Sequence, residues 1–385
     1  MSGEMIVVAM SGGVDSSLAA ALLHEEGYRV VGVTMKLWDY DQVGSNVRRE
    51  NACCPIESTN DARAVCERLG LPHYTLDLRQ AFEKSVIEDF VSEYEAGRTP
   101  NPCVRCNSAI KWKVLLKRAR LLGANLIATG HYAQLLTRPD GTAELRKGLD
   151  PQKDQSYALW GIPQETLRMT RLPLGRLSKD ETRRMATERG LKTAHKPESQ
   201  EVCFIPDNDY GRFLAEWTEK RNRRSPALVP GNILNREGRV VGTHRGVAHY
   251  TIGQRKGLGV ALGRPQFVTR IDAATRTIWI GDPADLEADT LTAAEANWTL
   301  GTPPEPEARL TAKIRYLHAG SPAHATLEPG KTFTVRFDEP QRAITPGQSV
   351  VLYDGDLVIG GGVITSAFSS SGRPSPTDRD RLGKK

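Results

Sequence analysis

The chain has 385 residues and a mass of 42.4 kDa, too long for one ordinary domain of roughly 100–200 residues, so two or three cores are expected. Hydrophobic residues make up 39% and charged residues 25%, and no apolar run nears the roughly 20 residues of a membrane span, which excludes a fibrous, membrane-embedded or small disulfide-stapled chain. Lys and Arg outnumber Asp and Glu 52 to 46, a net +6, but half of that excess sits in the last seventeen residues, so composition permits a nucleic-acid partner without demonstrating one.

The N-terminal MSGEMIVVAMSGG has an acidic residue and only a short apolar run, unlike a signal peptide, and the expected location is cytoplasmic. Over the first 130 residues the pattern alternates. Strands are predicted at 5–10, 30–35, 73–77 and 126–128, and helices at 16–26, 57–69, 81–96 and 109–122. Runs such as IVVAM and VVGVTM are apolar throughout, as in a parallel sheet covered on both faces. This is a doubly wound α/β pattern whose ligand should lie at the carboxyl ends of the strands. Residues 36–55 and 97–107 read as long irregular loops, 139–141 as a hairpin turn, 179–189 as a helix and 192–206 as another loop. Beyond residue 230 short β-like runs take over at 265–271, 277–281, 308–316, 332–337 and 349–353, suggesting barrel or sandwich material with a boundary near Asn297 and Trp298. From residue 369 the Ser/Gly/Pro-rich tail is expected to be disordered.

The sharpest local signal is the turn Met10, Ser11, Gly12, Gly13, Val14, Asp15, Ser16, Ser17 between the first strand and first helix. Small residues and a helix N-terminus make a phosphate cradle, with the Ser11, Ser16 and Ser17 hydroxyls as further donors. No lysine follows the glycines to sit on the terminal phosphates, so cleavage there is disfavoured. The pattern SGGxDS resembles that of the ATP pyrophosphatases, which release diphosphate and adenylate their substrate. Asp15 would orient the helix end or hold Mg²⁺.

Six cysteines in a chain of this kind are expected reduced. Cys66 falls on the apolar face of a helix and reads as an inert core thiol. Cys103 and Cys106 form a C-x-x-C placed before a helix and flanking Arg105, where a lowered thiol pKa is expected. Cys203 lies in the loop SQEVCFIP. Zinc, redox and cluster roles are rivals for the pair, and a zinc site would draw on Cys53 or Cys54. Lys220, Arg221, Arg223, Arg224, Arg245, Arg255 and Lys256 could position an RNA backbone or simply face solvent. His131 is expected near the nucleotide without a proton-transfer role.

Eight segments in order, AMSGGVDSS, GRTPNPCVRCN, ATGHYA, GLDPQKDQSY, SQEVCFIP, YTIGQRKGLG, KIRY and ITPGQSVVLYDGD, resemble the tRNA-specific 2-thiouridylases over about residues 5–364. The resemblance implies an α/β N-terminal ATP pyrophosphatase domain over 1–210, a central β-rich tRNA-binding domain over 211–285, a C-terminal β-barrel over 286–368 and a tail over 369–385. It implies ATP with Mg²⁺, bound by Ala9, Met10, Ser11, Gly12, Gly13, Val14, Asp15, Ser16, Ser17, Met35 and Gly130. Cys203 would carry a persulfide and Cys106 would act with it. Asn101, Pro102 and Cys103 would flank the target base, and Lys153, Asp154, Gln155, Arg315 and Tyr316 would contact the tRNA, of the Lys, Glu or Gln type. A sulfur-donor protein would supply the persulfide.

One departure stands out: many members have Asp where this chain has Cys103. Cys103, Cys106 and Cys203 could together hold a 4Fe-4S cluster, or Cys103 could be a resolving thiol in a persulfide relay. Two rivals to the thiolation reading remain. Another ATP pyrophosphatase, adenylating a small carbonyl or carboxylate for amination, would leave Cys106 and Cys203 idle. A non-catalytic RNA-binding protein would not need the glycine, serine and cysteine positions.

Overall fold

The computed structural model describes residues 3–39, 55–197, 202–260, 263–306 and 308–369. Cys53, Cys54, most of the 36–55 insertion and the tail beyond residue 369 lie outside the described residues. The first sheet contains β1 (Met5–Ala9), β2 (Arg29–Lys36), β3 (His73–Asp77), β4 (Leu126–Ala128) and β7 (Thr170–Arg171) in the order β3-β2-β1-β4-β7, all parallel. Ile6, Val7 and Val8 of the central strand are fully buried, as its unbroken apolar run demands. The chain steps outward from β1 to β2 and β3, then returns to lay β4 on the other side of β1. That reversal opens a crevice at the carboxyl ends of β1 and β4.

Helices α1 (Val14–Glu25) and α2 (Pro55–Arg68) follow β1 and precede β3. Helix α3 runs as Arg79–Phe82, a π-helical Glu83–Ile87 and Glu88–Glu95. Helix α4 runs as Pro102–Arg105, a π-helical Cys106–Val114 and Leu115–Leu121. Two expectations are corrected here. The helix predicted from residue 109 begins at Pro102, so most of the presumed loop 97–107 after Asn101 is helical. Both predicted helices also contain π turns, which place one extra residue per turn and leave no periodic signal in the sequence. The hairpin β5 (Ala133–Thr137) and β6 (Ala143–Lys147) turns where expected. Helix α5 (Lys179–Glu188) starts on a Ser178–Glu181 capping box. Helix α6 (Tyr210–Glu219) was not foreseen; Asp209 caps it, and Phe213, Leu214 and Trp217 form its buried stripe.

Strands β8 (Gly231–Leu234), β9 (Val240–His244), β10 (Phe267–Asp272) and β11 (Thr277–Gly281) make a four-stranded sheet. Beyond it, β12 (Glu287–Trp298), β13 (Arg309–Lys313), β14 (Ser321–Glu328), β15 (Thr332–Arg342), β16 (Ser349–Asp354) and β17 (Leu357–Phe368) close into a six-stranded barrel, because β12 pairs with both β15 and β17. Asn297 and Trp298 end the first barrel strand and mark no boundary. The hairpin β5–β6 is added to the barrel wall through β17. Cores are shared between the units: Val351, Tyr353 and Val358 pack with Trp112, Leu115 and Leu145, and Phe213, Val268 and Ile278 pack with Phe82 and Phe90. No described helix is long and apolar enough to cross a membrane.

Candidate functional site

β1 ends at Ala9, and Met10 extends it by donating its N–H to the Val33 carbonyl at 2.8 Å. Ser11, Gly12 and Gly13 then turn the chain into α1. Gly12 has φ +72°, and a Cβ there would lie 2.2 Å from the Ser58 carbonyl oxygen of α2, so glycine is required. A Cβ on Gly130 would lie 2.6 Å from the Asp15 backbone. The turn is thus wedged between α2 and the segment after β4, inside the crevice, with Met35 near the end of the neighbouring strand. Val14 is buried at the start of α1.

Three hydroxyls were expected to face a phosphate; two are committed to the turn instead. Ser16 and Ser17 are buried and donate to the Gly13 carbonyl at 3.2 and 2.8 Å, and the Ser11 N–H donates to Ser16 Oγ at 3.1 Å. Ser11 alone of the three is exposed. Asp15 accepts from Tyr132 Oη at 2.7 Å and from Lys179 Nζ at 2.8 and 3.0 Å. Of its two expected roles, orientation of the helix end fits; a carboxylate already held by an ammonium and a phenol is a poor magnesium ligand.

Asn101 caps α4, its side-chain oxygen accepting from the Val104 N–H at 3.3 Å, and Pro102 fills the first turn. Cys103 and Cys106 therefore lie in the helix, and the expectation that both catalytic cysteines sit on loops holds for Cys203 only. Cys203 is anchored by Phe204, buried against Phe82, Phe90 and Phe213, and the Trp38 side chain donates a hydrogen bond to its sulfur. Cys103 and Cys203 are open to solvent and Cys106 is half-buried. The three thiols sense one another and the Lys111 ammonium electrostatically.

Protein packed around the cleft opposes the expected lowering of the thiol pKa, even though Cys103 and Cys203 keep solvent-accessible surface. Walls of protein around the sulfurs push Cys106 up to about 11 and Cys203 up to about 12, and push Cys103 up as well; Lys111 opposes the shift in each case. Arg105, expected to be the activating cation, turns away to Glu295 (Nη2–Oε1 2.8 Å) and Asp89 (Nε–Oδ1 3.1 Å). Cys66 behaves as expected: it is fully buried, and burial pushes it up to about 11. Among the described residues no three His, Cys, Asp or Glu side chains stand at the spacing of ligands to one metal ion.

His131 donates or accepts at Thr129 Oγ1, 2.7 Å from Nδ1, while its Nε2 lies 3.5 Å from Lys111 Nζ. Burial, with Lys111 adding to it, holds this imidazole well below its usual pKa. It is neutral, and Nε2 accepts from the ammonium.

The remaining candidates divide by role. Asp154 is buried and organises its loop, accepting from the Gly148 and Ser156 N–H groups at 3.0 Å. Gln155 accepts from the Tyr132 N–H at 3.0 Å. Lys153 is half-buried on the same loop. Arg315 is exposed on the barrel, and Tyr316, 41% exposed, meets the Tyr157 ring edge-on. Arg221 stacks on Trp217 and pairs with Glu83, and Arg223 pairs with Glu95, so half of the first basic cluster joins two helices. Arg245, Arg255 and Lys256 are exposed.

Sequence reasoning missed Lys111, Trp38, Tyr132, Lys179 and Gln348 as parts of the site. Gln348 Nε2 donates to the Thr99 and Pro100 carbonyls at 2.9 and 3.1 Å, so the barrel props the chain leading into α4. Tyr132 and Gln348 fall within the segments ATGHYA and ITPGQSVVLYDGD, but a segment does not tell what its side chains touch, and the partners lie on elements distant in the chain.

Three families match consecutive stretches: the tRNA methyl transferase HUP domain at residues 4–207, the tRNA methyl transferase PRC-barrel domain at 222–282 and the aminomethyltransferase beta-barrel domain at 288–364. The tRNA-specific 2-thiouridylase MnmA of Geotalea uraniireducens is 48% identical over 95% of this chain and 96% of its own. That of Acetivibrio thermocellus is 47% identical over 94% of this chain and all of its own. That of Carboxydothermus hydrogenoformans is 48% identical over 94% and 97%.

Proposed function

This chain belongs to the tRNA-specific 2-thiouridylase family, and from that premise we propose how its own residues replace the 2-oxygen of a tRNA wobble uridine with sulfur. The observation that supports the reading most is a juxtaposition. Of two adjacent residues, Gly130 packs on the nucleotide turn at Asp15 and His131 meets Lys111 of the π-helical segment that begins at Cys106. Adenylation and sulfur delivery thus share one wall.

The anticodon base is unpaired, so turning it out is comparatively cheap. Its 2-oxygen attacks the α-phosphorus of ATP, and diphosphate leaves along the N-terminus of α1, where backbone N–H groups and Ser11 stabilise the departing charge. Asp15, held by Tyr132 and Lys179, orients the head of α1, and Mg²⁺ bound with ATP would offset charge on the triphosphate. A sulfur-donor protein loads Cys203 as a persulfide. Its outer sulfur attacks C2, and AMP departs with the former 2-oxygen. Cys106 thiolate then attacks the Sγ of Cys203, which frees the uridine sulfur and leaves a Cys106–Cys203 disulfide. Cys103 thiolate then attacks the Sγ of Cys106, forming a Cys103–Cys106 disulfide and releasing Cys203 as a thiolate, and an external dithiol reduces the new disulfide while being oxidised to its own. Arg315, Tyr316 and Lys153 hold the RNA, of the Lys, Glu and Gln acceptor classes.

The test mixes protein, ATP, a persulfide donor and unmodified tRNA transcript, and measures 2-thiouridine together with AMP and diphosphate. Formation of ADP and orthophosphate, or normal thiolation by a Cys106→Ala/Cys203→Ala double variant, overturns the reading.

A further inference from the structure

We propose that Lys147 of β6 and Lys313 of β13 form a binding place for the phosphodiester backbone of the tRNA, at the seam where the β5–β6 hairpin joins the barrel. The inference rests on the function proposed above and deepens it. Lys147 immediately precedes GLDPQKDQSY, and Lys313 opens KIRY. Next to Lys147, Arg146 pairs with Leu357 of β17, while Lys313 lies opposite Val351 of β16. Side chains from two different units of the chain thus arrive at one aromatic ring: the Lys147 ammonium lies 4.8 Å and the Lys313 ammonium 5.9 Å from the ring centroid of Tyr353. That ring is fully buried, and its phenol stands 3.2 Å from Ser156 Oγ.

Charge at this seam is unbalanced. Lys313 is half-buried, and among the described residues no carboxylate stands within ion-pair distance of its ammonium. Asp154 acts on it from the loop after β6, but that carboxylate is already engaged by the Gly148 and Ser156 N–H groups and the Ser156 hydroxyl, each at 3.0 Å. Lys147 donates to the Gly355 carbonyl at 2.9 Å and meets Asp356 at 3.9 Å, a side chain that is 71% exposed; so long and wet a pair neutralises little. Burial first, and the Lys147 charge with it, hold the Lys313 ammonium below its usual pKa against the pull of Asp154, as expected of a cation short of a counterion. Two ammonium groups gathered on one ring repel each other, and an anion with several oxygens relieves that repulsion. The neighbours fit RNA: Lys153 stands on the same loop as Asp154, Arg315 is exposed two residues beyond Lys313, and Tyr316 meets Tyr157. The lysines therefore extend a face that already carries the candidates for base and backbone contact.

The experiment titrates the full-length protein with unmodified tRNA transcript from about 50 to about 300 mM KCl. Lys147→Gln and Lys313→Gln are each expected to weaken binding at low salt and to flatten the plot of log affinity against log salt by about 0.7–0.9, the loss of one phosphate contact. Lys147→Arg and Lys313→Arg keep the wild-type slope, and KM for ATP stays the same throughout. Ethylation of single tRNA phosphates should interfere with wild-type binding at positions where it no longer affects the Gln variants. If a Gln variant melts below the wild type, the corresponding Lys→Met change, which keeps an apolar stem over the ring, repeats the titration. Unchanged slopes in both Gln variants and in their double variant overturn the proposal. So does displacement of tRNA by millimolar inorganic phosphate at matched ionic strength, which marks a free-anion site, or a loss of thiolation seen only when a donor protein supplies the sulfur, which marks a protein partner. Should the wild type bind tRNA with the expected slopes yet form no 2-thiouridine, the functional reading fails while the backbone site stands.

Discussion

Gly130 shows how much chemistry one missing side chain carries. A methyl group there would enter the space of Asp15 and Ser16 at the head of α1, and overpacking of that kind costs about 1–3 kcal/mol when the neighbours must shift. Gly130→Ala is expected to lower AMP formation at least tenfold while the melting temperature falls by a few degrees, with product chromatography and calorimetry as the measurements. The glycine turn was legible because its meaning is local: small residues between a strand and a helix leave room for phosphate. The state of the thiols was not legible. It depends on the walls around Cys106 and Cys203 and on a partner for Arg105, Glu295, that lies far along the chain.

Two elements bring the distant parts of the site together. The N-cap at Asn101 holds the first turn of α4, so Asn101→Ala should cost about 1 kcal/mol in a denaturant titration and loosen Cys103 more than Leu115. Asn followed by Pro is a recognisable helix start, but the surrounding proline and asparagine content read as loop. The π turns were beyond sequence reasoning, since an extra residue within a turn has no periodic trace. On the other side, β12 bulges between Ala294 and Asn297, and Glu295 at the bulge has φ +57°. The bulge aims this carboxylate away from the barrel at Arg105. Glu295→Ala loses the ion pair and keeps the backbone strain; Glu295→Gly loses the pair but relieves about 1 kcal/mol of strain, so Gly should be the more stable of the two in thermal melts.

For the whole molecule, the order of units was legible from the change of hydrophobic period, from helical and strand alternation to short strands separated by glycine and proline. The sharing of cores was not, because it is written in side chains from opposite ends of the chain. His73, His131, His244, His249 and His318 are all held below the usual imidazole pKa, by burial first in each case. A folded state that resists protonation keeps its full stability above the unfolded value of about 6.5 and loses it as pH falls below that. The melting temperature at pH 5.5 should therefore lie below that at pH 7.5, with a shallower drop in His131→Asn. A fragment ending before β12 should aggregate, since it bares the apolar surface that Val351, Tyr353 and Val358 cover. The pairing of Arg146 with Leu357 joins strands separated by roughly two hundred residues, a contact that folds late because its loop must close first. During synthesis, then, the nucleotide-binding half stays unfinished until the ribosome has delivered the strands about two hundred residues downstream that roof its core.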